Sequence, residues 1–165
     1  MKIGIFSDIH DRTNHLEQAM HRMLRLGCGH FIFLGDCTTP ESFRRLLELA
    51  QGLPLDAVPG NNDYDLLAMH QMAAASPAPR LHPELAVITR YRMKLSLSHY
   101  PRYAWQEVRK GHVDAALYGH THQALQEMAG NCLIANQGRT GRLGFGILDT
   151  DSRTMNLHTL DFKTP

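Results

Sequence analysis

The sequence predicts an α/β fold, and two observations support that prediction. Short apolar runs that are typical of buried strands occupy residues 3–6, 30–34 and 55–58. Amphipathic helical patterns lie between them. Because strands joined through helices form parallel sheets with right-handed crossovers, we expect a parallel β-α-β-α-β arrangement in the first half of the chain.

The first helical pattern follows directly after the first strand. Apolar residues recur at three- and four-residue steps from Leu16 to Leu24, which predicts one buried face. We expect Asn14 to cap this helix, with Glu17 completing a capping box, and Gly27 to end it.

Two further helices and a second set of strands complete the predicted order. Pro40 suits the first turn of the second helix. Residues 65–75 form the third helix, and Asp63 either caps it or orients a metal-binding histidine. A short helix or loop is expected around residues 105–110. Strands are predicted at residues 85–89, 93–98, 113–118, 132–136, 145–149 and 155–160. Without a linker or repeat, residues 1–165 are predicted to form a single domain.

Composition excludes several classes of protein. A net charge of +1 gives no basic field for nucleic acid, and 43% hydrophobic with 20% charged residues is ordinary for a globular protein. Three scattered cysteines form no CxxC pair, which favours a reducing cytoplasm over a disulfide framework. We find neither a signal-peptide pattern nor an apolar run long enough for a membrane span.

Metal-capable side chains follow five of the predicted strands. In chain order they are Asp8 with His10, Asp36, Asn61, His99, and His120 with His122. Open α/β sheets bind ligands beyond the carboxyl ends of their strands, so we expect these side chains to meet at one edge. Taken singly, Asp36 could belong to a plain turn and Asn61 to an Asx turn. Together they exceed what one metal ion needs, which favours two ions sharing one carboxylate.

The combined order of these motifs resembles the calcineurin-like metallophosphoesterases. The motifs are Asp-x-His, Gly-Asp, Gly-Asn, His and Gly-His-x-His. The short chain, the box at residues 60–63 and the run at residues 146–150 are similar to the small bacterial and archaeal phosphodiesterase branch. The resemblance spans nearly the whole chain. It implies a four-layer α/β/β/α sandwich of two mixed sheets flanked by helices.

The resemblance also implies roles for individual residues. The first metal ion would be bound by Asp8, His10, Asp36 and His122. The second would be bound by Asp36, Asn61, His99 and His120, so that Asp36 bridges the two ions. The implied activity is that of a binuclear phosphoesterase, preferentially a phosphodiesterase, in which a metal-bridging hydroxide attacks phosphorus in line. Mn²⁺ is our first choice because oxygen donors mix with imidazole; Ni²⁺, Fe²⁺, Zn²⁺ and Mg²⁺ are alternatives.

This sequence departs from the family pattern at three places. Asn62 stands where most members have a histidine that binds phosphate or protonates the leaving group. Asn62 can donate a hydrogen bond to a phosphoryl oxygen but cannot act as an acid, which favours diesters with acidic leaving alcohols. Arg139 replaces a serine and either contacts phosphate or is solvated. Tyr100 replaces a glycine. Together with Tyr103 and Trp105, it either lines the substrate pocket or packs within a loop.

Two other functions remain open at this point. The first is a non-catalytic metal-binding scaffold on the same fold, which resembles the retromer scaffold subunit; such scaffolds tend to lose ligand histidines, whereas every position is filled here. The second is a nuclease, which the near-neutral charge disfavours. We therefore expect a small phosphodiester substrate, with no nucleic-acid polymer and no membrane as partners. A homo-oligomer is left open.

Overall fold

A computed structural model describes residues 1–140 and 144–160 of the chain. Within these residues helices and strands alternate from β1 to β4, and strands predominate after that. The helices are α1 (Thr13–Arg25), α2 (Pro40–Leu49), α3 (Leu66–Ala74) and α4 (Pro101–Lys110). The strands are β1 (Lys2–Phe6), β2 (Cys28–Phe33), β3 (Leu55–Ala57), β4 (Pro79–Leu81), β5 (Leu85–Arg90), β6 (Met93–Ser98), β7 (Ala115–Leu117), β8 (Ala124–Ala129), β9 (Cys132–Gln137), β10 (Phe145–Asp149) and β11 (Thr154–His158).

The strands form two mixed sheets. One sheet has the order β11-β10-β1-β2-β3-β4, and the other has the order β5-β6-β7-β9-β8. Strands β1 to β4 pair in parallel, as do β6, β7 and β9. Strand β10 pairs antiparallel with β1, and the hairpin strands β11, β5 and β8 pair antiparallel with β10, β6 and β9. The parallel strands of both sheets deliver the loops that follow them to one end of the molecule.

Three apolar clusters hold four layers together. Helices α1 to α3 cover the outer face of the first sheet, where Leu16 and Phe43 pack with Phe31 and Phe33. The inner faces of the two sheets pack on each other through aliphatic residues. Helix α4 covers the outer face of the second sheet. The fold is therefore the α/β/β/α sandwich that the sequence predicts.

Several local predictions need correction. Arg12, not Asn14, occupies the N-cap of α1, and no side chain caps that helix. Asp65, not Asp63, caps α3 by accepting a hydrogen bond from Ala68 N. Helix α4 already begins at Pro101, because proline suits the first helical turn.

Two strands, β4 and β8, were not predicted from the sequence. Strand β4 has only three residues. Strand β8 is mostly exposed and lacks an apolar pattern, so it is recognisable only from its pairing with β9.

Two other features bear on the class of protein. Across the described residues, no helix has both the length and the apolar character needed to cross a membrane. Cys28, Cys37 and Cys132 are all buried free thiols. Cys37, which follows Asp36 in the chain, packs in the apolar cluster beneath α1 to α3.

Candidate metal centre

The predicted ligands meet where the parallel strands end. Five of them have backbone φ angles between 48° and 69°, in the left-handed region that residues other than glycine rarely adopt: Asp8, His10, Asp36, His120 and His122. Such strained conformations cluster at functional sites, where the surrounding structure holds them in place. These backbone conformations direct side chains from separate loops toward a common point.

Asp8, His10 and His122 form the first group of donors. Their ligating atoms lie close enough to one another to hold a metal ion. The Nε2 atoms of His10 and His122 are 3.2 Å apart, and Asp8 Oδ1 is 3.2 Å from His122 Nε2. His122 comes from the loop after β7 and the other two from the loop after β1, so this group joins both sheets.

His99, Asn61 and His120 form the second group. His99 Nε2 is 3.1 Å from Asn61 Oδ1 and 3.2 Å from His120 Nδ1. His99 Nδ1 donates a hydrogen bond of 2.7 Å to Leu34 O, so Nε2 keeps a free lone pair that faces the centre. His99 is buried, whereas Asn61 and His120 are exposed. The buried His99 therefore closes the inner side of the centre, and the exposed Asn61 and His120 leave its outer rim open to solvent.

The carboxylate of Asp36 lies between the two groups. Its Oδ2 is 3.7 Å from His10 Nε2 and 3.4 Å from His99 Nε2. Asn62 donates two hydrogen bonds to it, from the backbone to Oδ1 at 2.9 Å and from Nδ2 to Oδ2 at 2.7 Å. Burial alone would raise the pKa of Asp36, but the neighbouring His99 and the hydrogen bonds from Asn62 outweigh it and lower the pKa to about 2. Asp36 is thus ionised at neutral pH.

One buried oxygen at the centre makes no hydrogen bond. Asp8 Oδ1 has no donor partner among the described residues, although Oδ2 accepts hydrogen bonds from Ser7 Oγ and His120 N. A buried carboxylate oxygen without a donor is costly unless a cation faces it. This orphaned oxygen, with imidazole nitrogens directed at the same point, fits a divalent metal ion.

Two glycines allow the loops to approach this closely. A Cβ atom on Gly119 would lie 2.8 Å from Ser7 Oγ and 3.0 Å from Asp8 Oδ2. A Cβ atom on Gly60 would collide with the backbone and carboxylate of Asp36. A residue with a Cβ atom therefore does not fit at either position beside the centre, so both positions require glycine.

Sequence reasoning missed a set of supporting residues on β9. Gln137 Nε2 donates to Ser7 Oγ at 2.6 Å, and Ser7 Oγ donates in turn to Asp8. Asn136 Nδ2 donates to Gly119 O at 2.8 Å and to Thr121 Oγ1 at 2.9 Å, which fixes the loop that carries His120 and His122. The signal in the sequence was the run at residues 136–139, at the end of the predicted strand over residues 132–136; the partners of these residues lie on other loops.

Asp63 ties two site loops together. Its carboxylate accepts hydrogen bonds from three backbone N–H groups: those of Asp36 at 3.1 Å, Thr38 at 2.8 Å and Gly60 at 2.7 Å. Burial raises the pKa of this carboxyl group and the hydrogen bonds oppose that rise. Asp63 therefore holds the loop of Asp36 against the loop of Asn61, and within the described part of the chain none of its hydrogen bonds runs to a candidate ligand histidine.

The aromatic and cationic candidates near the rim separate into two groups. The ring of Tyr100 contacts His99 and His120, with centroid distances of 5.3 and 5.1 Å. Trp105 instead packs against the apolar cluster under α4, away from the rim. The charge of Arg139 lies near His10 and lowers its pKa, in addition to the larger lowering caused by burial. Tyr100 therefore borders the candidate centre, and Trp105 belongs to the core.

Comparison with known protein families shows which family this chain belongs to. The model of the calcineurin-like phosphoesterase superfamily domain matches residues 1–161. The chain belongs to the calcineurin-like phosphoesterase superfamily. The sequence is 25% identical over 160 residues to the phosphodiesterase MJ0936 of Methanocaldococcus jannaschii, covering 93% of this chain and 95% of that protein. This membership supports a phosphoesterase activity.

Solved structures show the same calcineurin-like fold. An archaeal phosphodiesterase superposes with a TM-score of 0.84 at 24% identity, over 97% of this chain and 100% of that one. The phosphoesterase YfcE of E. coli gives a TM-score of 0.72 at 22% identity, over 99% and 96%. Vps29 of Entamoeba histolytica, solved with zinc, gives 0.62 at 17% identity, over 94% and 89%. The neighbours include small archaeal and bacterial phosphoesterases, as the sequence motifs predict.

Proposed function

We propose that this protein is a binuclear metal-dependent phosphodiesterase. The observation that carries the proposal is the position of Asp36, whose Oδ2 faces both His10 and His99, one from each donor group. A carboxylate shared between two groups of donors is the arrangement by which two cations are held about 3.5–4 Å apart. The phosphodiesterase relative from Methanocaldococcus supports the diester class.

The proposed ligand sets follow the two groups of donors. Asp8, His10, His122 and one oxygen of Asp36 would bind the first ion. Asn61, His99, His120 and the shared Asp36 would bind the second. Mn²⁺ stays our first choice because the donors are oxygen and imidazole nitrogen without a thiolate, with Ni²⁺, Fe²⁺, Zn²⁺ and Mg²⁺ as alternatives.

When bound, two such ions lower the pKa of water and neutralise charge on the phosphoryl oxygens of an in-line displacement. The chain's own groups prepare the site for this chemistry. Asn62 orients the ionised Asp36 through two hydrogen bonds, and Leu34 O fixes the ring of His99. Arg139 adds a positive charge on the side of His10, where a phosphoryl oxygen would be stabilised.

The position of Asn62 supports a preference for diesters with acidic leaving alcohols. Its side-chain amide is directed at Asp36 Oδ2, and an amide cannot protonate a leaving oxygen. General acid catalysis contributes on the order of 10²–10⁴ in rate, so a substrate with a poor leaving group would react slowly. A small diester is therefore the expected substrate, and no nucleic-acid polymer or membrane is expected as a partner.

The test compares one diester with one monoester of the same phenol. Metal-stripped protein is refilled separately with Mn²⁺, Ni²⁺, Zn²⁺ and Mg²⁺ and assayed on bis(p-nitrophenyl) phosphate and p-nitrophenyl phosphate. We expect metal-dependent turnover that favours the diester. A preference for the monoester would overturn the substrate class while leaving the metal site intact.

A pair of variants tests the bridging role of Asp36. We expect Asp36→Asn to lose turnover and to bind fewer than two metal ions per chain. The exposed Asp151, which pairs with the N-terminal ammonium group, provides the matched control Asp151→Asn with unchanged activity. Full turnover by Asp36→Asn would contradict the assignment.

A second function is favoured by the likeness to Vps29, which was solved with zinc. In that case the protein would be a non-catalytic scaffold that binds metal on the same fold. Two bound ions per chain without turnover of any phosphoester would select this alternative. A single domain over residues 1–165 and a cytoplasmic location stay predictions of the sequence.

A further inference from the structure

Three side chains at the start of α4 form a group that we call the arginine rim: Tyr100, Arg102 and Tyr103. The guanidinium carbon of Arg102 lies 4.7 Å from the centroid of each tyrosine ring. The two rings contact each other at 6.2 Å, nearly perpendicular. Stacking on two aromatic rings restricts the plane of the guanidinium group while leaving its edges available.

The arginine rim borders the candidate metal centre directly. The ring of Tyr100 touches His99 and His120, which belong to the second group of donors. Tyr100 therefore contacts both Arg102 and the second group of donors. A guanidinium group that reaches the donors only through a neighbouring side chain is placed for a functional group of the substrate next to the scissile phosphate.

The charge of Arg102 has no acidic partner. Within the described residues its one hydrogen bond runs from Nη2 to Tyr103 Oη at 3.2 Å, and no ion pair includes it. The nearby Glu84 accepts a hydrogen bond of 2.7 Å from Tyr103 Oη instead. Arg102 is exposed, and neither Nε nor Nη1 donates a hydrogen bond within the described residues. A guanidinium group with these two donor atoms free is suited to bidentate binding of a phosphate.

We propose that Arg102 binds a second phosphate group of the substrate, so that the preferred substrates are phosphodiesters carrying another phosphate about one sugar ring from the scissile phosphorus. This inference rests on the proposed function and deepens it. Arg102 acts on specificity: it touches the substrate away from the reacting atoms, and it is expected to change KM more than kcat. Tyr100 and Tyr103 orient the guanidinium group.

The experiment uses two chromogenic substrates that differ by one group. These are the p-nitrophenyl ester of thymidine 5′-phosphate and the same compound with an added 3′-phosphate. For the Mn²⁺-loaded wild type we expect the 3′-phosphate to raise kcat/KM about tenfold, mainly through KM, as a charge-assisted hydrogen bond would. Equal kcat/KM values for the two substrates would overturn the inference and leave the phosphodiesterase proposal standing.

Variants separate recognition by Arg102 from general damage. Arg102→Ala is expected to lose the preference for the 3′-phosphate, because its kcat/KM should fall about tenfold more for the bisphosphorylated substrate than for the simpler diester. Arg102→Lys keeps the charge but loses the planar stack, and is expected to retain only part of the preference. Arg109, exposed near the other end of α4, supplies the control Arg109→Ala, which should keep the full preference for the 3′-phosphate. A similar fall in kcat/KM for both substrates in Arg102→Ala would mean that Arg102 has a structural role, and it would contradict the inference.

A binding measurement keeps the inference testable if neither diester is hydrolysed. That outcome would count against the proposed function alone. Calorimetry then compares thymidine 3′,5′-bisphosphate with thymidine 5′-phosphate on metal-loaded wild type and Arg102→Ala. Tighter binding of the bisphosphate to the wild type, lost in the variant, supports the assignment of Arg102. Equal binding of the two nucleotides to the wild type overturns it.

Discussion

The Nε2 atoms of His10 and His122 lie 3.2 Å apart, although the two residues are 112 positions apart in the chain. Two imidazole nitrogens at this distance repel through their lone pairs unless one carries a proton or a cation lies beside both. Asp8 Oδ1 completes the same cluster with no hydrogen bond of its own. The arrangement is the one that a metal ion stabilises.

Metal binding should therefore stabilise the fold measurably. A ligand present at about 100 times its Kd adds about 2.7 kcal/mol to the free energy of unfolding. We expect saturating Mn²⁺ to raise Tm by several degrees and His122→Ala to bind one ion fewer per chain. His112, which pairs with Glu107 away from the centre, supplies the control His112→Ala. Unchanged metal stoichiometry in His122→Ala would contradict its role as a ligand.

Removing the side chain of Asn62 should weaken the centre without destroying it. Asn62→Ala loses the 2.7 Å hydrogen bond to Asp36 Oδ2 but keeps the backbone hydrogen bond to Oδ1. Groups that orient metal ligands are worth about 10–100-fold in metal affinity or activity, so we expect a fall of that size in kcat/KM or in Mn²⁺ affinity. The exposed turn residue Asn131 gives the control Asn131→Ala. Unaltered activity and affinity in Asn62→Ala would show that the backbone contact suffices.

Adding one methyl group at Gly119 should disable the site by steric displacement. The new Cβ would stand 2.8 Å from Ser7 Oγ and 3.0 Å from Asp8 Oδ2, well inside normal contact distances. Because Asp8 is fully buried, it has little room to move. We expect Gly119→Ala to lose at least about tenfold in kcat/KM, since small misplacements at a reacting centre are costly.

Gly29→Ala is the matched control for that change. Its Cβ would meet only the flexible side chain of Met1 at 3.3 Å. The two variants are compared by steady-state kinetics with bis(p-nitrophenyl) phosphate and by thermal unfolding. Equal activity of Gly119→Ala and Gly29→Ala would refute the steric argument.

Asp56 makes the stability of the fold depend on pH, far from the metal centre. It is buried between the sheets, and its carboxylate accepts hydrogen bonds from Arg90 and contacts His30 and His82 at 2.8 and 2.7 Å. Burial alone would raise its pKa, but these partners together lower it well below the ordinary value. A lowered pKa in the folded state means stability that is present above the unfolded-state pKa of about 4 and lost as the pH falls below it.

The matching variant is Asp56→Asn, measured by urea unfolding between pH 7 and pH 3. Removing one partner of a buried ionic network costs about 3–5 kcal/mol, so we expect a loss of that order at pH 7. The difference between wild type and variant should shrink below about pH 4, where Asp56 takes up its proton on unfolding. A difference that stays constant over the whole range would contradict the ionic role of Asp56.

The candidate ligands of the metal centre could be predicted from the sequence, whereas most of the residues that support them could not. The residues from Asp8 to His122 were recognisable because each follows a strand-forming run, and carboxyl ends of parallel strands share one edge. Gln137, Asn136 and Ser7 were not recognisable, because their roles depend on partners more than 100 positions away or on which side of a loop faces the site. The caps of α1 and α3 could not be assigned to Arg12 and Asp65, because several polar residues near each helix start, Asn14 and Asp63 among them, are equally suitable by type.

The order of strands and helices in the first half of the chain, the buried helix faces and the set of metal-capable side chains were predictable from the sequence. They follow from local hydrophobic periodicity and from residue chemistry, both of which are visible in a single chain. The position of Asp36 between the two donor groups and the contact of Asn62 with Asp36 arise only when the chain folds. The stacking of Arg102 on Tyr100 at the rim also depends on the fold. Those relationships depend on the left-handed backbone of the loops and on the packing of two sheets, which bring together residues that no local pattern relates.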